Sequence, residues 1–252
     1  MDMKPGKLVV TTSWDDGYPA DAKVAELLAK YGVAGTFYIP NRNSEGRPVL
    51  GEDEVRRLSG TFEVGGHSID HVVLTDLPEG EAARQITQNK QWLENLTGRP
   101  VPGFCYVRGR YSPQIKEIVK RAGFEYARTV VNLCPTPGRD AFEMPTTIQF
   151  YPHRKSVYLK GFLRGGPDVE RASLLWAALT AGDIEHRVER LIDLCARAGG
   201  TFHLWGHSWE LEELNLWGTL EAILRRLAAR TETTVFATNY EAHCAAMKRA
   251  PA

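Results

Sequence analysis

Short apolar or β-branched runs alternate with amphipathic helical segments from the start of the chain, which is the pattern of parallel βα units. Residues 8–12 read as a first strand. Val24, Leu27, Leu28 and Tyr31 then recur at helical spacing, Gly32 stands where a left-handed cap would close that helix, and residues 35–39 (Gly-Thr-Phe-Tyr-Ile) read as a second strand. A short helix is expected over 53–58 and a third strand near 62–64. A longer helix over 81–96 has Ala82, Ile86, Leu93 and Leu96 on one face, with Gly98 and Pro100 behind it. The same periodicities predict a strand near 104–107, a helix carrying Ile115, Ile118, Val119 and Ala122, and a strand near 126–131.

From 132 to about 183 the chain is rich in Pro, Gly and aromatic residues and has no clean period, so an irregular elaboration is expected there. Within it, 173–181 offers an apolar helix face with Leu174, Leu175 and Leu179, suited to core or dimer packing. Order returns with a helix bearing Val188, Leu191, Ile192 and Cys195, a strand at 201–205, a helix bearing Leu220, Ile223, Leu224 and Leu227, and a strand at 233–237. No repeat or composition break divides the 252 residues, which are expected to form one domain.

Composition narrows the class. With 43% hydrophobic and 25% charged residues the chain has material for a sizeable core. Lys plus Arg and Asp plus Glu both number 31, so no electrostatic footprint for nucleic acid exists. Cys105, Cys134, Cys195 and Cys244 are too scattered for a zinc knuckle or a disulfide framework and read as reduced thiols. Residues 1–7 are polar and the apolar run at 8–10 is too short for a signal core or a membrane span, so a cytoplasmic location is expected.

Three strand ends carry chemistry. The first strand runs into Ser13-Trp14-Asp15-Asp16-Gly17, two adjacent carboxylates where α/β barrels place active sites. Alone, an Asp-Gly after a strand is usually only a turn. Partners arrive at His67-Ser68-Ile69-Asp70-His71, preceded by Gly65-Gly66, where one helical turn would put both imidazoles on one face. Two histidines and a carboxylate make a facial metal site with open positions for water and a carbonyl oxygen, as metal-assisted hydrolysis requires. The third end, 203–210, supplies His203 and His207 among Trp205, Trp209 and Glu210, and a general acid for a departing amine can come from here. A histidine among tryptophans is otherwise more often a packed core residue.

With these motifs in this order the chain resembles, over nearly its whole length, the polysaccharide deacetylase family (the NodB-homology group, carbohydrate esterase family four). The family's first motif, usually Thr-Phe-Asp-Asp-Gly, stands here as Ser13 to Gly17; its His-Ser/Thr-x-x-His motif is intact from His67 to His71, and Glu63-Val64-Gly65 matches the lead-in. The resemblance implies a distorted (β/α) barrel and an N-acylated amino sugar or oligosaccharide as substrate. It implies Asp15 as the base that activates water, and Asp16, His67 and His71 as ligands of a divalent ion, commonly zinc. The late Leu-x-His motif falls on 205–207, making His207 the preferred acid, with His203 as a competing alignment.

Departures from the family pattern matter for substrate. Where many members read Arg-Pro-Pro-Tyr-Gly, this chain has Cys105-Tyr106-Val107-Arg108-Gly109, so the arginine that steadies the base is missing; Arg128 or Arg108 could replace it. The oxyanion donor of that motif is a backbone N–H, which Arg108 can supply. Glu210 or Asp140 is nominated to orient the acidic histidine. Tyr106, Trp205 and Trp209 could stack on a sugar ring, and core packing explains them equally. A different amidase on the same scaffold, acting on a cyclic ureide or formamide, and a sugar-binding protein without turnover remain as alternatives. A homo-oligomer is left open.

Overall fold

The computed structural model describes residues 7–166 and 168–249; the polar stretch at 1–6 lies outside them. Strand β1 (Leu8–Asp15) is buried along all eight residues and leads through a tight turn to helix α1 (Asp21–Tyr31), which ends at left-handed Gly32. Then follow β2 (Thr36–Ile39), α2 (Glu52–Ser59), β3 (Glu63–Gly66), α3 (Glu79–Thr97), β4 (Gly103–Cys105), α4 (Pro113–Arg121) and β5 (Tyr126–Arg128). Each is a βα unit of the kind the periodicity predicts, and α4 is opened by Ser112, whose hydroxyl accepts from the Ile115 amide.

The stretch expected to be irregular is more ordered than its composition suggests. It contains β6 (Ile148–Gln149), α5 (Lys155–Arg164) and α6 (Val169–Thr180). α6 turns Leu174, Ala177 and Ala178 inward and leaves Val169 and Trp176 exposed, so the apolar face at 173–181 serves the core. The chain closes with α7 (Ile184–Arg197), β7 (Thr201–His207), α8 (Ser208–Glu213), α9 (Trp217–Ala228), β8 (Thr234–Phe236) and α10 (Asn239–Arg249).

The eight strands are parallel, in the order β5-β4-β3-β2-β1-β7-β6, with β8 also on β1. β1 is the hub. Its residues 13–15 pair with β2 and its residues 8–10 with β8 on the neighbouring stretch of the same strand, while β7 lies along the other edge from Val9 to Asp15. The two ends of the sheet meet through the segment 144–147: the Thr129 amide donates to Met144 and the Thr146 amide to Val131 on one side, and the Thr147 amide donates to His203 on the other. The result is a curled, distorted (β/α) barrel, as the resemblance implies.

Strand alternation divides the side chains between two layers. Val10, Trp14, Phe37, Phe104, Ala127, Phe202 and Leu204 join the apolar core shared with the helices. Residues of opposite parity, Ser13, Asp15, Tyr38, Cys105, Arg128, His203 and Trp205, face the interior, where polar groups meet one another. Ser13 bonds His203 at 2.8 Å, Tyr38 bonds Tyr126 at 2.8 Å, and Arg128 bonds Asp15. That inward layer, at the C-terminal ends of the strands, carries the site.

Candidate active site

Asp16 sits in the turn after β1 with φ at 78°, followed by Gly17 at 58°; this left-handed pair reverses the chain and turns the Asp16 carboxylate back over the barrel mouth. His67 and His71 follow β3 in a loop. The expected helical turn is absent: Ser68 and His71 both have positive φ, and this irregular backbone brings the two rings to 5.1 Å. Helix α3 fixes the loop through two buried polar side chains one turn apart. Asn89 accepts from the His67 amide at 2.9 Å, and Gln85 accepts from the amides of Ile69 and Asp70 at 3.0 Å each. Gly66 admits Asn89, since a Cβ there would lie 2.8 Å from its Oδ1.

The three chosen ligands converge. His71 Nε2 lies 3.0 Å and His67 Nε2 3.4 Å from Asp16 Oδ1, and the three side chains are buried. His67 Nδ1 is 2.8 Å from the Cys105 carbonyl, which fixes its proton there and leaves the Nε2 lone pair for a cation. Asp16 Oδ1 is buried without a hydrogen-bond partner, while Oδ2 accepts from Trp209 Nε1 at 3.0 Å. An orphaned buried carboxylate oxygen facing two imidazole nitrogens fits a divalent ion. Burial works to raise the Asp16 pKa, but His67 and His71 hold it well below the usual carboxylate range, so Asp16 is an anion.

Asp15, on the last residue of β1, faces inward. Arg128 binds its Oδ1, and the Cys105 thiol approaches its Oδ2 at 3.6 Å. The Arg128 guanidinium is wholly buried between aromatic rings, 5.3 Å from the Tyr38 centroid and 4.7 Å from that of Trp205. Burial opposes its charge, and Asp15 more than restores it. Arg128 thus sets a buried guanidinium against Asp15, the place the resemblance gives to the arginine missing from the third motif. Arg108 does not: its side chain is exposed and pairs with Glu45 at 2.7 Å. Arg108 still lines the pocket, in a turn where it has φ of 55°.

His207, at the end of β7, places Nε2 3.9 Å from Asp16 Oδ2 and Nδ1 2.9 Å from Glu210. Burial opposes protonation, but Glu210, Asp16 and Asp15 together push its pKa up to about 9. Glu210 is held in turn by Gln149, whose amide lies 3.1 Å from both its oxygens, and Gln149 Oε1 contacts His153 at 2.8 Å. Asp140 instead pairs with Lys116 at 2.8 Å, away from the site. His203 is deep in the barrel, bonded to Ser13, with its pKa lowered to about 3 by burial and the Arg128 charge. It does not line the pocket and is not placed to protonate a leaving group there.

Of the aromatic residues nominated to stack on substrate, Tyr106 is a core residue. It is fully buried, its hydroxyl donates to the Phe142 carbonyl at 3.1 Å, and its ring stacks on Tyr111, away from the pocket. Trp205 and Trp209 do line the pocket. The Trp209 ring, however, is stacked on His207 at 5.1 Å and carries the Arg47 guanidinium at 3.6 Å, so it steadies Asp16 and His207 and offers no open stacking platform. Sequence reasoning missed Gln85, Asn89, Gln149, His153 and Arg47. The pocket, about 540 Å³, is lined by Asp15, Asp16, His67 and His71 and also by residues of α5.

A parallel (β/α) barrel with a carboxylate and two imidazoles at its C-terminal rim defines a candidate mononuclear metal centre of the hydrolytic type. The chain belongs to the polysaccharide deacetylase family, whose model, described as Polysaccharide deacetylase, matches residues 2–127, half of its length. It is 32% identical over 96 residues to the peptidoglycan-N-acetylmuramic acid deacetylase PdaC of Bacillus subtilis, a match covering 37% of this chain and 20% of that protein. A Mycobacterium smegmatis structure assigned to the polysaccharide deacetylases superposes at TM-score 0.69 with 15% identity, covering 100% of this chain and 95% of the other. A family 4 acetyl xylan esterase from Clostridium thermocellum, solved with a cobalt ion, superposes at 0.58 with 14% identity, covering 96% and 93%. The family match reaches both metal motifs and stops before Arg128, His207 and α5.

Proposed function

We propose that this protein is a metal-dependent N-deacetylase that removes an acetyl or similar acyl group from an N-acylated amino sugar. The observation that carries the reading is the joint presence, around one cavity, of the Asp16–His67–His71 cluster, the Asp15 carboxylate clamped by buried Arg128, and the His207–Glu210 pair. Membership in the family, and the relative named for N-acetylmuramic acid, point to the sugar amide over a cyclic ureide or formamide.

Asp16, His67 and His71 would hold the ion, and zinc suits a site of two imidazoles and one carboxylate. When bound, the ion polarises the acyl carbonyl and acidifies water. Asp15 accepts the proton of the attacking water, and the Arg128 clamp holds its carboxylate in place. The backbone N–H of Arg108, a pocket-lining residue, serves as a donor to the developing oxyanion. His207 gives its proton to the leaving nitrogen, and Glu210 keeps the imidazolium charged until then. Acetate and a free amine result.

Retention of this whole proton-transfer set argues against a binding-only role, which would need neither Arg128 nor Glu210. Four free cysteines support a reducing, cytoplasmic setting. Amine release from N-acetylglucosamine oligomers and from N-acetylmuramic acid, with and without chelator, tests the function. Chelator-sensitive release of acetate and amine in equal amounts is the expected result; release unaffected by chelator, with no metal bound, would overturn it.

A further inference from the structure

We infer that α5 forms an anion-recognition wall, and that the substrate carries a carboxylate or phosphate that meets Lys160 and Arg164. This rests on the deacetylase reading and deepens it. Along α5, Val157, Lys160, Gly161 and Arg164 recur at three- and four-residue spacing and line the same pocket as the metal cluster. The helix, Lys-Ser-Val-Tyr-Leu-Lys-Gly-Phe-Leu-Arg, contains no acidic residue.

The other charges around the pocket are matched locally. Arg108 pairs with Glu45 at 2.7 Å, Arg47 with Glu213 at 3.2 Å, Asp15 with Arg128, and Glu210 with His207 at 2.9 Å. Asp16 belongs to the metal cluster. Among the described residues, Lys160 and Arg164 have no carboxylate partner. Two unpaired cations at the mouth of a concave site focus positive potential into it, which raises the association rate of an anion and penalises a cation. A neutral glycan can accept hydrogen bonds from them but gains nothing from their field.

Helix placement supports the same face as a built wall. Gly161 packs against Asn132 so closely that a Cβ would lie 2.0 Å from Asn132 Oδ1, and this oxygen is buried without a partner at the pocket edge. α5 is thus seated tightly against the pocket-lining segment at Asn132.

The test compares N-acetylmuramic acid, N-acetylglucosamine 1-phosphate and neutral N-acetylglucosamine in the metal-loaded wild type and in a Lys160→Ala/Arg164→Ala variant. Binding by calorimetry is read alongside amine release. Wild type should prefer one acidic sugar over the neutral one by about tenfold or more, the preference shrinking with added salt. In the variant, with metal content and circular dichroism unchanged, the ratio should fall toward one, and Lys160→Glu/Arg164→Glu should push it lower still. The winning acidic sugar tells carboxylate from phosphate. Equal handling of acidic and neutral sugars, or an acidic preference that survives in the variant because the anion sits on the metal alone, overturns the inference and leaves the deacetylase reading standing. Binding with the predicted preference but no amine release from any acylated sugar would support the anion wall and sink the deacetylase reading.

Discussion

Asp15 and Arg128 are the pair on which the proposed chemistry turns. Both are buried, so removing one partner leaves an uncompensated charge, at a cost of about 3–5 kcal/mol. Arg128→Met is expected to lower the denaturation midpoint and to abolish most turnover, whereas Asp15→Asn should keep bound metal and lose about 10²–10⁴-fold in kcat/KM. An Asp15→Asn protein that retained wild-type kcat/KM would remove Asp15 as the base. His207 gives a pH prediction. Its pKa of about 9 lies above its ordinary 6.5, so the proton needed by the leaving amine is present below that value and lost as pH rises through it. The same ion pair stabilises the fold fully at and below about pH 6.5 and ceases to do so as pH climbs through about 9. Glu210→Gln removes the raising charge, so the alkaline limb of kcat/KM should move to lower pH; an unmoved limb would detach Glu210 from the acid.

At the scale of elements, α5 and the His67–His71 loop are the parts most dependent on contacts distant in sequence. Gly161→Ala should force Asn132 or the helix to shift, raising KM more than it lowers kcat, while the metal content stays at the wild-type level; steady-state kinetics and elemental analysis of that variant decide it. The candidate metal ligands were legible in the sequence because Asp16 directly follows the apolar β1 and His67 and His71 stand four residues apart just after β3. Arg128 was legible only as one of two candidates. Strand parity resolves it: Tyr126 and Arg128 share the inward face of β5, and register sets Arg128 beside Cys105. His203 and His207 share a parity on β7 and differ in depth: His207 lines the pocket, whereas His203 bonds Ser13 inside the barrel. Tyr106 misled because an aromatic residue in a functional motif looks the same whether it faces substrate or core. Gln85 and Asn89 left a signal that was passed over, two amides on the buried face of α3 beside Ile86 and Leu93. The order in 132–183 was hidden because α5 buries only Tyr158 fully and so has little apolar period to read.

For the whole molecule, the barrel's topology gathers the site from both halves of the chain: Asp15, Asp16, His67 and His71 from the first, Arg128, His207 and Glu210 from the second. β1 joins them, with Asp15 in register with Tyr38 on one side and His207 on the other. A bound ion should therefore stabilise the entire barrel by mass action, and chelation should lower the melting temperature in a concentration-dependent way. A melting temperature indifferent to chelator and to added zinc would mean that the cluster holds no ion of consequence. The most direct test of the central claim is elemental analysis of the purified wild type and His67→Ala, joined to chelator-sensitive amine release from acetylated sugars. One divalent ion per chain, lost in the variant together with activity, is the predicted result. Full wild-type activity with no metal bound would contradict the account.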